Sequence, residues 1–223
     1  MAGVKRVLLS WSSGKDSAWA LHVLRERGEL EVAGLLTTIT RDHGRVSMHA
    51  VRESLLDAQV AALGLPVRKV YLPKGASNEE YERVVALELH ACKTEGIEDV
   101  AFGDLFLEDV RKYREETLRP IGMHPHFPLW GTPTRELVTS MLAAGLRAFV
   151  TAVDLRALDR SFAGRSFDRE FLDSLPETVD PCGENGEFHT FTYAGPSFRD
   201  PLSVVPGDVV ERDGFAFCDL LPG

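Results

Sequence analysis

The chain opens on an apolar run, Val7-Leu8-Leu9, of the kind a strand buried on both faces shows, then turns through Ser12-Ser13-Gly14 into helical periodicity. From Asp16 to Arg27 apolar residues recur at Ala18, Leu21 and Leu24, and Gly28 is placed to end the helix. Glu31 to Thr38 predicts a second strand, and Val51, Leu55, Ala58 and Ala62 repeat at helical spacing up to a stop at Gly64 and Pro66. Arg68 to Tyr71 predicts a third strand. Ser77-Asn78-Glu79-Glu80 has capping-box spacing and opens a long helix to about Thr94, closed by Gly96. Asp99 to Gly103 reads as a fourth strand followed by a helix from about Glu108, and Thr132-Pro133 starts a helix that ends at Gly145. Arg147 to Val153 then predicts a fifth strand, ending in Asp154.

Strands alternating with helices in this way predict the α/β class, a doubly wound parallel five-stranded sheet with right-handed crossovers. Beyond Asp154 the rhythm changes. Leu155 to Ser174 carries four arginines, Pro176 to Thr190 is rich in Gly, Glu and Pro, and short β-prone runs from Phe191 onward flank the hairpin dipeptide Asp213-Gly214. The expected division is residues 1–154, holding the sheet, and 155–223, a small C-terminal subdomain packed against the sheet's carboxyl edge.

Composition narrows the function. The 223 residues are 44% hydrophobic and 26% charged, which is ordinary for a globular protein. A formal charge of -9 and a pI near 5.3 disfavour broad binding to nucleic acid or anionic membranes, so small molecules or proteins are the expected partners. Cys92, Cys182 and Cys218 are odd in number and widely spaced, which indicates neither a disulfide framework nor a zinc ribbon. No signal peptide or membrane-length apolar run stands out, and a cytoplasmic location is expected. A homo-oligomer is left open.

The candidate chemistry begins at the loop after the first strand. Backbone N–H groups at a helix start, hydroxyls, a Gly and the mobile charge of Lys15 make a phosphate cradle. It is not the P-loop G-x-x-x-x-G-K-[ST], because Leu9 stands where the first Gly belongs and Asp16 follows Lys15. Thr37 and Thr38, at the end of the second strand, face the ligand crevice of such a sheet. At the fourth strand's end, Gly103 lets a ligand approach the backbone. Asp104 beside it can accept from an adenine amine, a ribose hydroxyl or a Mg²⁺ water, or else cap the following helix. The mixed charge of that helix, with Arg111, Lys112, Arg114 and Arg119, reads as a solvated face. His124-Pro125-His126 lacks a further ligand at metal spacing.

The hexapeptide Ser12-Ser13-Gly14-Lys15-Asp16-Ser17 resembles the S-G-G-K-D-S pyrophosphate motif of the N-type ATP pyrophosphatases, departing from it at Ser13. A second stretch, Gly183-Glu184-Asn185-Gly186-Glu187-Phe188-His189-Thr190, resembles the G-E-x-G-E-[FY]-H-T element of the diphthine ammonia ligase family. Gly103-Asp104 and Pro128-Leu129-Trp130-Gly131 match that family's pattern as well, so the resemblance runs from about residue 5 to 198 and leaves the C-terminal hairpin outside.

The resemblance implies an adenine nucleotide α-hydrolase type of fold. It also implies a reaction in which ATP adenylates a substrate carboxylate, that of diphthine or of a diphthine-like acceptor such as a protein side chain; pyrophosphate leaves, and ammonia forms the amide. The expected cofactors are ATP and Mg²⁺, with Asp16 and Asp104 as metal candidates. Nucleotide-binding candidates are Ser10, Ser12, Ser13, Gly14, Lys15, Asp16, Ser17, Thr37, Thr38, Gly103 and Asp104. Lys15 is expected to neutralise the departing pyrophosphate, while Glu187 first and Glu184 second are expected to take a proton from ammonium. His49, His189 and Thr190 are the candidate substrate contacts. With the chain beginning almost at its first strand, no glutaminase domain is expected and ammonia comes free or from a separate donor. Two alternatives stay open: sulfur transfer to a nucleic-acid base, and a non-catalytic adenine-nucleotide sensor.

Overall fold

The computed structural model describes residues 4–46 and 51–223. Strands β1 (Lys5–Ser10), β2 (Leu30–Thr40), β4 (Val67–Leu72), β5 (Asp99–Ala101) and β6 (His124–His126) form a parallel sheet in the order β4-β2-β1-β5-β6. The two-residue β3 (Arg45–Val46) adds antiparallel to the end of β2. Helices α1 (Lys15–Arg27) and α2 (Glu53–Leu63) bury Leu21, Leu24, Leu55 and Leu56 in one cluster with Val7 and Leu9. On the opposite face, α3 (Asn78–Thr94) and α4 (Glu108–Leu118) bury Val85, Leu89 and Leu118 against Leu8 and Val100. Alternate residues of β1 thus feed two cores, as expected of a strand covered on both sides.

Local signals set the element ends. Gly28 and Gly64 close α1 and α2 in the left-handed conformation, at φ 64° and 66°. The Ser77 side chain accepts the Glu80 amide at 3.2 Å and starts α3.

The fifth parallel strand is β6, not the expected Arg147 to Val153. That run forms β7 (Arg147–Asp154), which lies in a second, antiparallel sheet ordered β8-β7-β10-β9 with β8 (Phe188–Ala194), β9 (Val204–Arg212) and β10 (Phe215–Pro222). Its residues Ala148, Val150 and Val153 belong to the α1 and α2 side of the core, together with Phe188, Phe191 and α5 (Thr134–Ala143). The expected Asp213-Gly214 hairpin turn joins β9 to β10, with both residues at positive φ.

Gln59, fully buried on α2, ties the sheets together. Its Oε1 accepts from Trp11 Nε1 at 3.0 Å, and its Nε2 donates to the carbonyls of Ser13 at 3.0 Å and Thr192 at 2.6 Å. The order of parallel strands reverses between β1 and β5, because α1 and α4 cover opposite faces. Ligands of such sheets bind in the crevice that opens there at the strands' carboxyl ends.

Candidate functional site

The loop leaving β1 is held in a conformation that few side chains adopt. Ser13 sits at φ 70°, the region that favours glycine, and it is the one position where the hexapeptide departs from the motif it resembles. Its carbonyl accepts from Gln59 and from the Thr192 amide at 2.9 Å, and its buried hydroxyl has no partner. Ser12 Oγ accepts from the Gly14 amide at 3.3 Å and lies 3.2 Å from Ser17 Oγ, which donates to the Gly14 carbonyl at 2.9 Å. The first amide of α1, that of Lys15, donates to Thr190 Oγ1 at 3.0 Å, so the second motif supplies the helix cap that Gly14 lacks.

Lys15 is 2% exposed. Its Nζ donates to Asp16 Oδ2 at 2.8 Å and to the Cys182 carbonyl, with the rings of Phe188 and Phe167 at 5.2 and 5.8 Å. Burial, the largest single influence, works against its charge, but Asp16 beside it, with neighbours such as Glu184 adding, holds the pKa above the usual lysine value. The other oxygen of Asp16, Oδ1, is buried with no partner.

The acidic loop is organised by two carboxylates of its own. Asp180 Oδ2 accepts the amides of Cys182 and Glu184, both at 3.1 Å, while Gly183 at φ 67° passes so close to Phe188 that a Cβ would meet its carbonyl at 2.8 Å. Glu187, expected to handle protons, is instead 7% exposed and does not line the cavity. Its Oε1 accepts from the Asp180 amide and from Asn185 Nδ2, both at 3.0 Å, which holds the loop shut on itself. Glu184 does line the cavity. Its Oε1 accepts from the Leu105 amide at 2.7 Å, and burial, with Asp16 and Asp104 adding repulsion, pushes its carboxyl up to about 7. His189 lines the same wall, and burial next to the Lys15 charge lowers its imidazole to about 4, so it is neutral at neutral pH.

These groups surround a 230 Å³ cavity at the helix start, lined by Lys15, Asp16, Ser17, Asp104, Glu184 and His189. A second cavity of 530 Å³ opens over the ends of β1 and β2, lined by Trp11, Leu36, Thr38, Thr40, Tyr81 and Tyr113. Ser10, Ser12 and Arg114 line both. Thr38 faces the larger cavity as expected, but Thr37 does not: it is 2% exposed and its hydroxyl donates to the Trp11 carbonyl at 2.9 Å, bracing the loop. Gly103 lines the smaller cavity and is also a tight packing point, since a Cβ there would meet the Asp16 carbonyl carbon at 3.0 Å. Asp104 is not a cap, because the residue before α4 is Leu107; its Oδ2 pairs with Arg114 Nε at 3.3 Å.

Arg114 is the site residue that the charge pattern concealed. The other charged residues of its helix read as a solvated face, and nothing in one sequence marks the position that turns inward. The His126 ring bonds Asp99 Oδ1 at 2.6 Å, which accounts for it without a metal. His49 lies outside the described residues. Among the described residues no group of three or more His, Cys, Asp or Glu is arranged to hold a metal. A Mg²⁺ that keeps waters and phosphate oxygens needs only one or two carboxylates, and the unpartnered Asp16 Oδ1 fits that demand.

The sequence profile of the diphthamide synthase N-terminal domain matches residues 5–125, and that of the diphthamide synthase C-terminal domain matches residues 133–219, taking in most of the C-terminal hairpin. The chain is similar to human diphthine–ammonia ligase, 27% identical over an alignment 241 positions long that covers 96% of this chain and 88% of the relative. The zebrafish diphthine–ammonia ligase is 25% identical, with 96% of this chain and 92% of the relative covered. For the fission yeast diphthine–ammonia ligase the figures are 27%, 56% and 21%.

Proposed function

Because the chain belongs to the diphthamide synthase family, we propose that it is an ATP-dependent ligase that amidates a carboxylate, diphthine or a close analogue, with ammonia. The observation that carries this reading is the convergence of the two motifs. The Lys15 amide is capped by Thr190 and the Lys15 ammonium is held by Cys182, so the phosphate loop and the acidic loop share one cavity.

In the mechanism we infer, adenosine occupies the larger cavity against Thr38, Tyr81 and Tyr113, and the β and γ phosphates lie over the first turn of α1 in the smaller one. A substrate carboxylate oxygen bonds to the α-phosphorus, the bond to the pyrophosphate oxygen breaks, and that oxygen keeps the electron pair. Lys15 and the amides at the start of α1 face the charge that grows there. Asp16, with Asp104 as the second candidate, would hold Mg²⁺, which would supply charge neutralisation at the phosphates. Ammonia then attacks the acyl carbon and AMP leaves.

Glu184 takes the proton from ammonium. It lines the cavity and its raised pKa lies near the operating pH. His189, neutral and half-buried on the same wall, is the substrate contact we assign to the acceptor side, with Thr190 fixing the loop that carries it. Residues 1–154 in this reading hold the nucleotide, and residues 155–223 bring the acceptor-side loop. No helix among the described residues is long and apolar enough to cross a membrane, and we place the reaction in the cytosol.

The test is product analysis with ATP, ammonium and a diphthine-bearing protein. AMP, pyrophosphate and one amide per turnover are expected. Release of orthophosphate, or of pyrophosphate independently of both ammonium and acceptor, would remove the assignment.

A further inference from the structure

Attack at the α-phosphorus builds negative charge on its two non-bridging oxygens, and the acyl adenylate retains one negative charge there. Lys15 lines only the smaller cavity, engaged by Asp16 and Cys182. Among the described residues lining the two cavities, the other permanently charged cation is Arg114, and it lies where they join, with Ser10 and Ser12.

Arg114 is built into this position. Its side chain is 26% exposed, its guanidinium carbon lies 4.8 Å from the centre of the Phe102 ring, and its Nε donates to Asp104 Oδ2 at 3.3 Å. Phe102 and Asp104 flank Gly103, the residue packed against the Asp16 backbone, so the cation is anchored through β5's loop to the start of α1. Tyr81, which lines the larger cavity, is a further partner. A guanidinium carries five donors in a rigid fork and keeps several beyond these two partners. Planar, paired and stacked, it is suited to two oxygens of one phosphoryl group.

We propose that Arg114 clamps the α-phosphoryl group of ATP and of the acyl adenylate, with Asp104 and Phe102 as positioning residues. Arg114 transfers no proton; it binds the non-bridging oxygens while one phosphorus–oxygen bond forms and the other breaks. The inference rests on the reading that ATP spans the two cavities. On this account Asp104 serves first as the counter-charge of Arg114, which leaves Asp16 as the metal's carboxylate.

The test compares adenosine, AMP and inorganic pyrophosphate as calorimetric ligands of the parent protein and of Arg114→Met and Arg114→Lys. The Met variant is expected to lose AMP affinity roughly 10- to 100-fold, the range for a charge-assisted hydrogen bond, while adenosine and pyrophosphate change less than about twofold. The Lys variant, which keeps the charge without the fork, should recover part of the loss and decides the matter if the Met variant does not fold. Unchanged AMP affinity, or equal loss for adenosine and AMP, overturns the clamp while leaving the ligase reading intact. Failure of the parent protein to bind AMP, adenosine or pyrophosphate overturns both.

Discussion

Replacing Glu184 by Gln isolates the proton-transfer step, because Gln keeps the acceptor oxygen that the Leu105 amide needs and removes only the charge. Raised from 4.5 to about 7, the charged carboxylate is disfavoured by about 3 kcal/mol relative to water, an upper bound because water screens a half-buried group. The carboxylate is then about one-tenth ionised at pH 6, half at pH 7 and nine-tenths at pH 8. If it takes the proton of a bound ammonium, amide formation from preformed adenylate rises with pH around 7 and levels off above about 8. Free ammonia alone gives a different curve, still climbing well above neutrality because ammonium is a far weaker acid. The assay is single-turnover amide formation at fixed total ammonium across pH 5.5 to 9 in steps of about half a unit. Parent protein should plateau; Glu184→Gln should be slower by roughly 10²- to 10⁴-fold near pH 7 and keep climbing.

Stability supplies an independent check with its own sign. A carboxyl raised in the folded state contributes stability that is fully present below its unfolded value near 4.5 and lost as pH rises through about 7. Glu184→Gln should therefore be more stable than its parent at pH 8, by up to about 3 kcal/mol, and no more stable at pH 4. Superimposable pH profiles for parent and variant, in rate and in stability, would refute the reasoning.

Three further outcomes are expected. Lys15→Met should slow pyrophosphate release by roughly 2–4 kcal/mol of barrier while leaving adenosine affinity unchanged, read by rapid quench and calorimetry; equal losses in both would deny the lysine a role at the leaving group. Ser13→Gly relieves a left-handed serine worth about 1–2 kcal/mol but adds unfolded-chain entropy of about 0.5–1, so urea titration should show a net gain of up to roughly 1 kcal/mol; a loss would assign a function to the buried hydroxyl. Thr190→Val keeps the shape and deletes the cap on the Lys15 amide, with about 1 kcal/mol of stability lost and ATP affinity falling alongside; normal affinity would uncouple the two loops.

Features fixed by neighbours in sequence were readable in advance. Gly28, Gly64 and the Ser77 cap end or start helices through contacts within a few residues; the phosphate loop is legible as a motif, while its shape rests on the distant Gln59, Thr190 and Thr192. The fifth parallel strand was not readable, because β6 has three residues and one is Pro125. Pro is tolerated there because β6 is the sheet's edge, where its missing N–H faces no neighbour. The run from Arg147 to Asp154 was legible as a strand but not as a member of either sheet, since apolar content carries no record of partners. Glu184 and Glu187 stand three residues apart on one turn, and only the left-handed turn at Gly183 and the acceptor role of Asp180 decide which of them faces the cavity. Arg114 depends on Asp104 ten residues earlier and on Phe102, a combination that helix periodicity does not encode.

The hydrogen bond from the Lys15 amide to Thr190 spans 175 residues. During synthesis the phosphate loop emerges 175 residues ahead of its cap. At about 5–20 residues per second the interval is roughly 9–35 s. Throughout it the Ser13 carbonyl lacks the Thr192 amide and the Lys15 ammonium lacks the Cys182 carbonyl. A nascent or truncated chain thus carries the phosphate-binding sequence without the phosphate-binding shape, and a fragment ending at Asp154 should show no ATP binding by calorimetry. On the proposed function, the ability to cleave ATP would arrive together with the acceptor-side wall, and an unfinished chain on the ribosome is expected to be silent.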